Sequence, residues 1–96
     1  MAFTAPLAHS VKWIKSFTAD PASLTTDTAN STNLTTTFKA AKKGDIFLVC
    51  APDLEAGLIC VAVNRVATSG TLTVVVKNVS AGTVDAASQE FITIGL

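Results

Sequence analysis

The chain has 96 residues, 49% hydrophobic and 15% charged, and its seven Lys+Arg balance seven Asp+Glu to a formal net charge of zero. That length holds one small domain, and the apolar content excludes a wholly disordered chain, which needs low hydrophobicity and high net charge. The charge balance argues against a nucleic-acid binder, which needs surplus Lys and Arg, and no apolar run approaches the roughly 18 residues of a membrane helix.

The opening segment MAFTAPLAHS has neither a basic start nor a continuous apolar core, so no signal peptide is expected. Residues 1–9 show no periodicity and read as an arm. It is either a frayed terminus or a segment reaching a neighbouring subunit, with Phe3 and Leu7 as anchors because aromatic and aliphatic side chains carry most contact energy. Beyond it, Thr and Val are abundant, Glu55 and Glu90 are the only glutamates, and Tyr is absent. β-Branched residues in period-two alternation predict strands rather than surface helices.

Six strands are predicted. Ser10 to Thr18 places Val11, Trp13 and Phe17 on one side and Lys12, Ile14 and Ser16 on the other. Lys15 breaks the alternation, and Trp13 with Phe17 also fits helical spacing. Asp20-Pro21-Ala22-Ser23 predicts a corner, and Thr26 to Ala29 a polar connection. Ser31 to Phe38 is a half-buried strand with Thr32, Leu34, Thr36 and Phe38 on one face. A charged turn, Lys39 to Gly44, leads into Asp45 to Ala51, which is apolar on both faces: Ile46 and Leu48 alternate with Phe47 and Val49. Such a strand is central or has one face against another chain. Pro52 to Gly57 breaks it. Leu58 to Val66 then puts Ile59, Val61 and Val63 on one side, and Ser69-Gly70 turns into Thr71 to Val76 with Leu72, Val74 and Val76 together. After a loop from Asn78 to Ala87, the last strand, Gln89 to Ile94, is expected to turn Ile92 and Ile94 inward. Short strands at this spacing predict an all-β fold. It is a small antiparallel β-sandwich over residues 10–96, jelly-roll or Greek-key like, with the short N-terminal arm over 1–9.

Catalytic patterns are sparse. The single histidine, His9, lies in the arm, and no set of Cys, His and carboxylates has zinc spacing. A Ser–His–Asp arrangement through His9 lacks the Gly-x-Ser-x-Gly elbow, and Ala56-Gly57 and Ser69-Gly70 read as ordinary turns, not phosphate cradles. Asp53 and Glu55 share a loop, where acids are usually solvated rather than paired across a cleft. With Asp85 they lack any calcium-loop spacing. No catalytic, cofactor-binding or metal-ligating residue is therefore predicted. If residues 52–57 closed a simple hairpin, Cys50 and Cys60 would oppose each other across the ladder. Their apolar surroundings favour two reduced, structural thiols instead. Near-neutral charge and high apolar content invite self-association, and a chain this size buries only about 60–65% of its extended surface, so an assembly is the expected setting.

The run Gly44-Asp45-Ile46-Phe47-Leu48-Val49 leads to Pro52, then Leu54-Glu55-Ala56-Gly57-Leu58, Arg65-Val66, Leu72-Thr73-Val74 and Asn78-Val79-Ser80. With Asp20-Pro21-Ala22-Ser23 and the Thr-rich strand upstream, this order over about residues 11–95 resembles a small β-sandwich family common in tailed-phage genomes. The pair Cys50 and Cys60, and Lys42-Lys43 before Gly44, depart from its pattern. The resemblance implies a non-enzymatic virion structural protein: a capsid decoration (cement) protein, trimeric, bound to the major capsid protein on the shell's outer surface and assembled in the host cytoplasm, without cofactor, nucleic acid or membrane. Trp13, Ile14 and Phe47 are then expected to divide between core and subunit interface, and Lys42 and Lys43 to meet an acidic capsid surface. Two other readings stand beside it, a tail- or fibre-associated receptor- or glycan-binding module and a non-viral surface-layer or adhesion sandwich.

Overall fold

A computed structural model describes residues 11–27 and 30–96. Nine strands are present among them, in chain order β1 (Trp13–Ala19), β2 (Ser23–Leu24), β3 (Ser31–Thr37), β4 (Ile46–Cys50), β5 (Leu58–Cys60), β6 (Val63–Arg65), β7 (Thr71–Asn78), β8 (Val84–Asp85) and β9 (Gln89–Gly95). They form a four-stranded sheet, β1-β9-β4-β6, a three-stranded sheet, β3-β7-β5, and a two-stranded ribbon, β2-β8. Every pairing is antiparallel. The fold is the all-β antiparallel sandwich that the alternation predicts.

The core lies between the two larger sheets and takes one residue parity from each strand. Trp13, Phe47, Val49 and Phe91 come from the four-stranded sheet, and Leu34, Leu58, Leu72, Val74 and Val76 from the three-stranded one. Trp13 meets Phe38 edge-on at 5.2 Å and Phe47 at 5.9 Å between ring centroids, while Phe17 stacks obliquely on Phe91 at 5.6 Å. Aromatic contacts of this kind add to the area they bury.

The predicted strand 58–66 is divided. Val61 N–H still donates to Val75 O at 2.9 Å, in the three-stranded sheet, whereas Ala62 O accepts from Val49 N at 2.8 Å, in the four-stranded one. The chain crosses between sheets at this corner and closes one side of the sandwich, which leaves β1 and β3 as edges on the other. Residues 52–57 are accordingly a crossover and not a hairpin.

A second correction concerns β9. Phe91, Thr93 and Gly95 are buried and Ile92 and Ile94 face outward, the reverse of the expected orientation. Trp13 covers Gly95, and Thr93 satisfies its hydroxyl by donating to Lys15 O at 2.8 Å. Two small residues therefore fit where hydrophobicity alone would place isoleucines.

Asn78 ties the ribbon to the sandwich. Its Nδ2 donates to Leu24 O at 2.9 Å and Gly82 O at 2.8 Å, and its Oδ1 accepts from Ser80 N at 2.9 Å. A buried amide satisfied on both sides fixes the loop that the sequence leaves irregular. The predicted corner at Asp20 is also present, with Ala22 N–H donating to Asp20 Oδ1 at 2.9 Å.

Candidate functional site

The outer face of the four-stranded sheet carries an apolar band, bordered by Ser16, Thr18 and Glu90 on one side and Arg65 on the other. Its register places Ile14 opposite Ile94, Ile94 opposite Leu48, and Leu48 opposite Val63, one unbroken row across all four strands. Ile92 and Cys50 pair in the next row, and Leu96 N–H bonds to Ile46 O on the other side of it. Ile14 is 63% exposed and Val63 55%, with Ile46 and Leu48 also open to solvent. Scattered exposed apolar residues are ordinary, but a contiguous apolar face marks an interaction site. By contrast, β3 and β7 turn Ser31, Asn33, Thr35, Thr37, Thr71, Thr73 and Lys77 to the outside of the other sheet, where Val75, Ile59 and Val61 are the apolar members.

The charges separate along the strands. Lys12, Lys39, Lys42, Lys43 and Arg65 lie at the end of the sandwich where β1 and β4 begin and β3 and β6 finish. Asp20, Asp53, Glu55, Asp85 and Glu90 lie at the opposite end, where β1 and β4 finish and β9 begins. Asp45 at the basic end, Lys77 near the acidic end and Lys15, midway along β1 with its ammonium over the Phe38 ring, depart from this split. A net charge of zero thus conceals a molecule with one positive and one negative end.

At the basic end the turn 42–45 is firmly held. Lys42 N–H donates to Asp45 Oδ2 at 3.1 Å, Lys12 Nζ pairs with Asp45 Oδ1 at 3.1 Å, and Trp13 Nε1 reaches Oδ2 at 3.4 Å. Lys43 N–H donates to Ser69 Oγ at 2.9 Å and Gly44 N–H to Val66 O at 2.9 Å. The backbone donor from Lys42, seconded by the Lys12 ammonium, holds the Asp45 carboxyl below its ordinary 3.8. Lys42 and Lys43 project from this turn into solvent.

A shallow cleft of about 300 Å³ is lined by Asn33, Asn64, Arg65, Thr68, Thr71 and Thr73 among others. Asn64 Nδ2 donates to Thr73 O across its floor at 3.4 Å. The lining contains no acid–base pair and no aromatic platform. Among the described residues, no group of three or more His, Cys, Asp or Glu is placed to hold a metal ion.

Of the residues singled out in the sequence, Phe3, Leu7 and His9 lie outside the described residues. Trp13 (9% exposed) and Phe47 (fully buried) are core residues, so neither offers a side chain to a subunit interface. Their parity faces the opposing sheet, where each meets other aromatic rings. Ile14 is on the outer face. Cys50 also points outward, from the four-stranded sheet, while Cys60 points inward from the other sheet, so the two are not opposed across a ladder. Burial, with Cys50 adding to it, pushes the Cys60 thiol up. Leu48, Ile94, Ile92 and Val63 escape a reading of single strands. The two-sided apolarity of residues 46–49 is the signal that points to them. No family model, curated protein or solved structure matches the chain.

Proposed function

We propose that the chain is a non-enzymatic structural subunit of a phage virion, a decoration protein that binds the outer surface of the shell and stabilises it. The observation that carries this reading is the apolar row Ile14–Ile94–Leu48–Val63, which marks the free chain as one part of an assembly. The order of turn and strand motifs, similar to that of virion sandwich modules, supplies the kind of assembly. A protein that binds only the assembled shell stabilises it by mass action and needs no chemistry. The turn presenting Lys42 and Lys43 has a fixed backbone and offers such a shell two exposed positive charges.

The test is the copy number of this chain relative to the major shell protein in purified particles, by quantitative mass spectrometry. A ratio near that of the shell protein is expected. A few copies per particle would transfer the protein to a tail or fibre, and absence from particles would remove the virion reading.

A further inference from the structure

We infer that the outer face of the four-stranded sheet packs against the same face of a second copy turned end for end, forming a closed antiparallel pair. Two independent features favour this occupant. The first is the face itself. The four strands hold 7, 7, 5 and 3 residues, and at about 4.8 Å between strands and about 3.4 Å per residue they project roughly 360 Å². Incidental contacts bury less than about 400 Å² per partner and standard interfaces about 800 Å². The projected sheet is no larger than an incidental contact, so what it offers a second copy is its exposed apolar side chains, Ile14, Ile46, Leu48 and Val63, rather than its extent. Apolar rows on facing sheets interdigitate at about 10 Å separation, as they do inside a sandwich.

The second feature is the charge polarity, which selects the orientation. Two copies stacked with strands parallel would set Lys12, Lys39, Lys42, Lys43 and Arg65 beside their own duplicates. Turned end for end about a two-fold axis lying in the interface, across the strands, each basic end meets the partner's Asp20, Asp53, Glu55 and Glu90. The apolar rows stay opposed. Opposite charges at the rim fix register and suppress the wrong orientation. Such a contact is isologous and closes on itself, so the association stops at two. A three-fold arrangement about an axis along the strands would gather all the basic ends together. The pair therefore differs from the trimer that the phage resemblance implies, and it does not depend on what the protein decorates.

Sedimentation equilibrium on the full chain tests the pairing, with circular dichroism confirming the fold of each variant. The expected result is a reversible dimer of twice 9.9 kDa. Ile14→Glu and Leu48→Glu should each weaken it at least tenfold. Ile59→Glu, at a 51% exposed position on the outside of the other sheet, should leave it unchanged. Raising NaCl from about 50 to 300 mM should weaken an antiparallel pair, because it screens the attraction between opposite ends. A chain still monomeric at roughly 100 µM, above the µM or tighter range of standard interfaces, would overturn the proposal. That is the result expected if residues 1–10 or a different partner covered the face. A trimer would overturn the pairing, a dimer indifferent to both Ile14→Glu and Leu48→Glu would overturn the face, and association strengthened by this salt step would overturn the orientation.

Discussion

A methyl group added at Gly95 would lie 2.3 Å from Trp13 Cε2 and 2.5 Å from Cδ2, closer than any real contact. The hydrogen atom at this position is what lets the indole lie flat over β9 while its edge reaches Phe38 and Phe47. Gly95→Ala must displace that ring from the centre of the core, and the expected loss is about 1–3 kcal/mol, the usual range for overpacking. Urea denaturation measures it, and an unchanged midpoint would mean that the ring is not anchored there. Asp45 acts at the same end through charge. Its carboxylate accepts from Lys42 N–H, Lys12 Nζ and Trp13 Nε1, so its pKa is lower folded than unfolded. A depressed carboxylate contributes stability in full well above its unfolded value of 3.8, and that contribution is lost as pH falls through the folded value. Asp45→Asn should therefore be less stable than wild type at neutral pH, with the difference shrinking below about pH 3.8. Thermal melts at a series of pH values check the sign. A gap that widens in acid would contradict it.

At the scale of elements, the strands are legible wherever one side chain in two is apolar. β3 and β4 form within the segments predicted for them, β7 runs two residues past its own into Asn78, and the inward faces of β3 and β7 match the alternation. The sequence hides three things. The isoleucines of β9 outrank Thr93 and Gly95 on any hydrophobicity scale, yet the smaller pair is inside because Trp13 fills the space and Lys15 O takes the hydroxyl. The ribbon β2-β8 consists of two-residue strands whose partners are distant in sequence, and Asn78 rather than periodicity places them. The corner at Val61–Ala62 leaves no mark because apolar alternation continues through it while the hydrogen-bonding partner changes from β7 to β4. That corner yields a prediction. Val61→Pro removes the N–H that bonds Val75 O and leaves a sheet carbonyl without its partner, at a cost of about 1–3 kcal/mol. Val61→Thr keeps the N–H at an exposed position and should stay within about 0.5 kcal/mol of wild type. Equal midpoints for the two variants in urea would show that the corner is not held by this bond.

For the whole molecule, charge is where chain order misleads most. Along the sequence, acids and bases alternate in small groups and sum to zero. Only the reversal of direction from strand to strand collects Lys12, Lys39, Lys42, Lys43 and Arg65 at one end and Asp20, Asp53, Glu55, Asp85 and Glu90 at the other. The candidate face was half legible for a related reason. The double apolarity of residues 46–49 announces an outward surface, but its continuation through Ile94 to Ile14 depends on β9 lying between β1 and β4, a long-range pairing that no local pattern specifies. Under the decoration reading, the basic end has a separate consequence. Lys42 and Lys43 are held by a turn whose backbone is fixed by Asp45, Ser69 and Val66, so only their side chains remain to be ordered on binding. Replacing both with glutamate changes the net charge from 0 to −4, because each substitution exchanges +1 for −1. Binding to an acidic shell should then fall by at least tenfold, and the residual binding should lose most of its sensitivity to salt. Occupancy on particles stripped of the wild-type protein measures both effects. Sedimentation of the variant alone separates loss of shell binding from loss of pairing. Full occupancy by a correctly folded double variant would take this turn out of the contact and assign the shell-facing surface to another part of the sandwich.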